Sequence, residues 1–179
     1  MHLRETPIPG CYEIVHDCFA DARGSFVKTF HQKAFLDLGL RTDWQEEYYS
    51  VSAKGVLRGM HFQSPPHAHA KLVSCLQGQA HDVVLDLRRS SPGFGRTHIL
   101  QMSHDSPVAL YIPAGVAHGF LSLTENCLMH YKVTSVHVPA ADAGVRWDSF
   151  GHIWPINNPI LSLRDTQHPN FDDFSSPFP

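Results

Sequence analysis

Lys71-Leu72-Val73-Ser74-Cys75-Leu76-Gln77-Gly78-Gln79-Ala80-His81-Asp82-Val83-Val84-Leu85-Asp86-Leu87 holds two apolar runs of strand length divided by a Gln-Gly turn signal. Runs this short, rich in Val and Leu and punctuated by glycine, predict strands over 71–76 and 80–87. The rhythm continues over 96–102, 109–112, 119–123 and 127–133, broken at Ser90-Ser91-Pro92-Gly93 and Pro113-Ala114-Gly115. Thirteen prolines and twelve glycines interrupt every long helical pattern. The best helix spans 32–40, with Ala34, Phe35 and Leu38 at helical spacing and Gly39 as its stop. Many short strands and few helices indicate a sandwich or barrel. A chain of 179 residues without a Cys…Trp…Cys spacing suits a jelly roll better than an immunoglobulin sandwich. The predicted fold is therefore all-β: a jelly-roll barrel over 46–153, with an N-terminal arm over 1–45. The tail over 154–179 is short, part helical and part irregular. It is rich in proline and aspartate but keeps Ile160, Leu161, Leu163, Phe171 and Phe174, so it is expected to pack. No repeat or linker divides the chain, and one domain over 1–179 is expected.

Hydrophobic content of 42% and charged content of 17% fit a soluble globular protein. The formal net charge of −3 offers no general attraction for nucleic acid or anionic membrane, so neither partner is expected. The four cysteines form no CxxC pair, and Cys75 and Cys127 sit in strand-like runs as small hydrophobes. That usage predicts free thiols and a reducing compartment. Met1-His2-Leu3-Arg4-Glu5-Thr6-Pro7 lacks the apolar core of a signal peptide, and no apolar run approaches membrane-spanning length. A cytoplasmic location is the expectation.

Fourteen histidines raise metal binding first. His67-Ala68-His69 and Pro113-Ala114-Gly115-Val116-Ala117-His118 are similar to the two motifs of the cupin superfamily, and three imidazoles would suit a transition metal. Where that superfamily usually has a glutamate after the His-x-His pair, Lys71, Val73 and Ser74 stand instead, and an ammonium would repel a cation. Pro65-Pro66 also reads as a loop that leaves His67 and His69 at a rim. A metal-dependent isomerase or dioxygenase using His67, His69 and His118 is thus the rival reading, and the preferred one has no metal. Gly55-Val56-Leu57-Arg58-Gly59-Met60-His61-Phe62-Gln63, with Lys71 and Tyr131, supplies a base, two cations and a phenol. These groups could remove a proton beside a carbonyl, hold the enolate and return the proton. Arg58 and His61 share a strand face only if the strand is bulged between them. The bland alternatives are a half-buried strand histidine, a core tyrosine and a snorkelling lysine.

The stretch 55–63, Lys71-Leu72-Val73, Asp82–Arg88, Ser91-Pro92-Gly93-Phe94-Gly95, Ile112–Phe120, Tyr131-Lys132 and Leu161-Ser162-Leu163-Arg164-Asp165 occur in an order that closely resembles the dTDP-4-dehydrorhamnose 3,5-epimerase family. The resemblance covers nearly the whole chain. It implies His61 as the base, Asp165 as the carboxylate that orients it, Tyr131 as the acid on the opposite sugar face, and Lys71 as the cation at the carbonyl oxygen. It further implies Arg58 and His118 as sugar and diphosphate contacts, Arg23 as a nucleotide contact in an arm that also carries Phe26, and Asp142 and Arg164 as additional contacts. The substrate's own 4-keto group serves as electron sink, so no metal, flavin or nicotinamide is required. A homodimer is implied, with the arm crossing to the partner's nucleotide site.

Three positions depart from the family pattern. Lys28 stands where a glutamate is common. Glu46-Glu47-Tyr48 replaces a Gln-x-Asn pair, and His137 replaces the tyrosine that stacks on thymine. All three lie on the nucleotide or sugar side, which leaves dTDP, CDP or another nucleoside diphosphate open. The implied activity is epimerisation at C3, C5 or both of a nucleoside-diphosphate 4-keto-6-deoxy sugar, serving deoxysugar or polysaccharide synthesis. A second rival is a sugar-nucleotide binding module without catalysis.

Overall fold

The computed structural model describes all residues 1–179. In chain order the elements are β1 (His2–Glu5), β2 (Tyr12–Val15), β3 (Cys18–Asp21), β4 (Gly24–Val27), α1 (Gln32–Asp37), β5 (Glu46–Ser52) and β6 (Leu57–Gln63). They continue with β7 (Lys71–Gln77), β8 (Gln79–Asp86), β9 (Thr97–Ser103), β10 (Val108–Ile112), β11 (Val116–Ser122), β12 (Cys127–Val133), β13 (Asp142–Gly144) and α2 (Leu163–Thr166). A short 3-10 turn follows at Phe171–Asp173.

Two antiparallel sheets form a cupin-like jelly roll, ordered β1-β2-β10-β7-β12-β5 and β13-β6-β11-β8-β9. The Gln77-Gly78 turn does not pair its flanking strands: β7 belongs to the larger sheet and β8 to the smaller. Gly78 makes this crossing with φ +78°, where a Cβ would collide with Thr124 Oγ1. Strict alternation then sorts side chains between faces. Val73, Cys75, Ala80, Val84, Leu110, Phe120, Met129 and Tyr131 form the core between the sheets. Val83, Leu85, Ala117 and Leu121 face outward instead and are covered by the tail through Trp154, Phe171, Phe174 and Phe178. The centre of the smaller sheet is thereby buried on both faces, which accounts for the almost unbroken burial of β8 and β11.

Two boundaries differ from the sequence-based expectation. The helix ends at Asp37 because Leu38 caps it and Gly39 turns left-handed at φ +73°. β11 begins at Val116, three residues earlier than expected, since Gly115 (φ +86°) already completes the turn and Val116 pairs with Asp86. The stretch 1–45 also divides. β1 and β2 are strands of the larger sheet, and Ile14, Phe35 and Leu40 build a third core with Leu72, Ala109 and Tyr111. Of the arm expected over 1–45, only the β3–β4 hairpin stands apart, exposing Phe19 and Phe26. The short, interrupted apolar spacing of the first 45 residues concealed these strands.

Candidate active site

The cavity at one end of the core has a volume of about 370 Å³ and is walled by both sheets. Each strand sends one or two polar side chains into it from positions in phase with the core. On β7, Lys71 continues the inward row of Val73 and Cys75; on β12, Tyr131 continues that of Cys127 and Met129. β6 requires a defect to do the same. Its outward residues are Leu57, Met60 and Phe62, and the register against β11 shifts so that Arg58 opposes Phe120 while His61 opposes His118. One extra residue in β6 thus brings Arg58 and His61 to one face, a β-bulge. Gly59 and Gly119 permit the close strand approach: a Cβ on Gly59 would lie 2.5 Å from Gly119 Cα.

His61 Nε2 lies 2.6 Å from Asp165 Oδ1. Ser162 caps α2, accepting from the Asp165 backbone N–H at 3.1 Å, and so fixes where that carboxylate emerges. Burial pushes the Asp165 carboxyl up, but the imidazoles of His168 and His61 and the charge of Arg164 outweigh it and hold the group well below the usual carboxylate range. Burial lowers His61 below an ordinary imidazole, with Asp165 acting against that shift. Arg164 Nη2 stands 3.0 Å from His61 Nε2, and Arg164 also pairs with Asp142.

Lys71 is buried and donates Nζ to the His61 carbonyl at 3.1 Å. Desolvation brings its ammonium down to about 8, opposed by Asp142 and Asp82. Tyr131 is buried, stacks on Tyr48 with ring centroids 4.8 Å apart, and is raised well above an ordinary phenol by desolvation. It therefore stays protonated at neutral pH.

Arg58, His118, Glu46, Tyr48, His137, Asp142 and Arg164 line the same cavity as His61, Lys71 and Tyr131. Asp165 sits behind His61, in contact with it but off the cavity wall. Glu46 accepts the His137 backbone N–H at 2.7 Å, so two of the departures from the family pattern are joined in space. Arg23, Phe26 and Lys28 are not brought into the cavity. Arg23 and Phe26 are on the exposed β3–β4 hairpin, Lys28 is exposed just beyond it, and Arg23 is paired with Asp21. The three imidazoles of the metal reading do not converge either. His67 is exposed, His69 Nδ1 lies 3.1 Å from Gln63 Nε2, and His118 Nε2 lies 2.7 Å from Asp82 Oδ2.

Two residues of the site escaped the sequence reading, one buried behind the cavity wall and one on it. Asp82 is fully buried against His118, and its signal was a carboxylate inside the apolar run of β8, in phase with inward Ala80 and Val84. Gln63 is 3% exposed, donates to the carbonyls of His67 (3.0 Å) and Val136 (3.2 Å), and accepts from Val138 N (2.6 Å). It pins two rim loops together, and nothing in its neighbours marks it.

A jelly roll whose mouth gathers an imidazole–carboxylate pair, a buried ammonium and a buried phenol defines an acid–base enzyme of the cupin-like class. The family model of dTDP-4-dehydrorhamnose 3,5-epimerase matches residues 5–173. A dTDP-4-dehydrorhamnose 3,5-epimerase of Shigella flexneri is 36% identical over 176 residues, covering 97% of each chain. The crystal structure of the corresponding enzyme from Elizabethkingia anophelis superposes with a TM-score of 0.91 at 37% identity, over 97% of both chains. ChmJ, a 3'-monoepimerase from Streptomyces bikiniensis solved in complex with dTDP-quinovose, has a TM-score of 0.85 at 32% identity, over 91% of this chain and 84% of that one. This chain belongs to the dTDP-4-dehydrorhamnose 3,5-epimerase family and is an epimerase acting on a nucleotide-linked sugar.

Proposed function

We propose that the protein inverts C3, C5 or both of a nucleoside-diphosphate 4-keto-6-deoxy sugar without a cofactor. The observation that carries this reading is the shared cavity of His61, Lys71 and Tyr131, with Asp165 hydrogen-bonded behind the imidazole. With Nε2–H donated to Asp165, Nδ1 of His61 keeps a free lone pair and takes the proton beside the 4-keto group. Only one neighbour can use Nε2 at a time. Arg164, drawn to the substrate's diphosphate, leaves that nitrogen to the carboxylate. Lys71 meets the oxygen that becomes anionic, inside a site dry enough to make its charge count. Tyr131, kept neutral by burial, returns a proton to the opposite face and completes inversion. Arg58, His118 and Asp142 hold the sugar and diphosphate, and Glu46, Tyr48 and His137 read the nucleoside end.

The hairpin supports a homodimer with arm exchange. Arg23, Phe26 and Lys28 lie outside their own cavity, on an exposed two-stranded element with two exposed phenylalanines, and so serve a partner's nucleotide site. The chain then works as one domain in the cytoplasm. No helix is long and apolar enough to cross a membrane. Relatives solved with dTDP-quinovose and dTDP-4-keto-L-rhamnose favour dTDP as the nucleotide.

Incubation with dTDP- and CDP-4-keto-6-deoxy sugars in deuterated water, read by proton NMR, tests the proposal. Deuterium at C3, C5 or both gives the regiochemistry, and the panel gives the nucleotide. His61→Asn abolishes exchange, a loss of at least about 10³-fold. Tyr131→Phe retains exchange but blocks inversion. Wild-type exchange in His61→Asn overturns the assigned base.

A further inference from the structure

Behind Asp165 lies a second imidazole for which the proposed chemistry has no use. His168 Nε2 stands 3.7 Å from Asp165 Oδ1, the same oxygen that receives His61 at 2.6 Å. Its side chain is 10% exposed, and Nε2 is buried without a hydrogen-bond partner, an orphan that a folded protein rarely keeps. Three features hold it there. Its ring sits edge-on to His61 with centroids 5.7 Å apart. The next residue, Pro169, accepts the Arg146 backbone N–H at 2.8 Å. Gly144, paired with His61 in register, leaves the space the ring fills: a Cβ there would lie 2.5 Å from His168 Nε2.

His61, Asp165 and His168 together offer the donor set of a divalent-cation site. The Arg164 guanidinium, 3.0 Å from His61 Nε2 and 3.8 Å from Asp165 Oδ1, places positive charge where a cation would have to sit. The polar orphan therefore faces a carboxylate, not an ion.

We propose that His168 is a positioning residue that donates its Nε2–H to Asp165 and locks the carboxylate toward His61, making a His–Asp–His relay of what otherwise reads as a pair. The gap of 3.7 Å closes by a small rotation of either side chain, and a hydrogen bond there satisfies the buried nitrogen. A carboxylate anchored from behind cannot swing off the base, which orientation-sensitive proton transfer requires. This assignment rests on the epimerase reading for its kinetic consequence and on geometry alone for its structural one.

The test compares His168→Leu, which fills the space without a donor, with His168→Gln, whose amide can donate to Asp165. Both are measured for solvent exchange and for the low-field proton resonance of the His61–Asp165 hydrogen bond. In His168→Leu, kcat for exchange falls by between about ten- and a hundredfold, KM stays at the wild-type value because His168 is not on the cavity wall, and the low-field resonance broadens or moves. His168→Gln restores both. A folded His168→Leu protein with wild-type kcat and resonance overturns the proposal, as does a loss that His168→Gln fails to restore. The resonance is read without substrate. An absent exchange activity in the wild type would refute the epimerase reading while leaving the relay to be judged by the resonance alone.

Discussion

Lys71 carries two opposed demands at the residue scale. An ammonium buried at the base of a cavity is held to about 8 against an ordinary value of 10.5, chiefly by desolvation. Its folded value lies below its unfolded one, so the charge opposes folding below about pH 8, and that opposition fades between pH 8 and 10.5. Lys71→Met is therefore expected to unfold about 2–4 °C higher than wild type at pH 7, to lose that advantage above pH 10.5, and to lose exchange activity. Thermal melts across pH measure the first two. The same value fixes the alkaline limb of catalysis. With Lys71 charged and His61 neutral as the active pair, kcat/KM should be bell-shaped, falling as pH rises through about 8. Its acid limb should lie below the ordinary imidazole value of 6.5, because burial depresses His61. A profile flat from pH 7 to 10 would remove Lys71 from the proposed role. Lys71 was legible in the sequence through the family motif it belongs to, and its phase with Val73 and Cys75 explains why the fold turns it inward. Asp82 and His168 were missed, because Asp82 gains its meaning from His118 on β11, further along the chain, and His168 from a carboxylate that matters only through the distant His61.

Among the elements, the β6–β11 crossing decides whether the cavity exists. The extra residue in β6 is what puts Arg58 and His61 side by side, and it fits only because Gly59 and Gly119 let the backbones nearly touch. Gly119→Ala would place a methyl 2.8 Å from the Arg58 carbonyl oxygen and 2.7 Å from Met60 Sδ. Overpacking against backbone is expected to cost about 2–3 kcal/mol, measurable by urea unfolding, with kcat falling as His61 is displaced. An unchanged urea midpoint would show that the strands separate freely there. The sequence announced the need for a bulge, since Arg58 and His61 are out of phase, but strand propensity cannot say which strand will yield. Likewise the Gln77-Gly78 turn was plain, yet whether it closes a hairpin or crosses between sheets depends on contacts far along the chain.

For the whole molecule, three cores and two sheets leave one element without a home, the β3–β4 hairpin. Replacing Cys18–Val27 with a short Gly-Ser link should preserve the β-sheet circular dichroism and yield a monomer by light scattering. Nucleotide affinity should weaken by at least about tenfold, or 1.4 kcal/mol. A dimer with unaltered affinity would refute the exchanged arm. The tail's packing could be anticipated from its apolar residues, whereas the strands hidden in residues 1–16 could not, because β1 leans on β2 alone and β2 finds its other partner, β10, far along the chain. The imidazole at 61 and its carboxylate lie 104 positions apart, with every strand from β7 to β13 threaded between them. A nascent or partly unravelled copy therefore has no working base. Activity becomes a readout of finished assembly, and half-formed copies are harmless to the other ketones they meet.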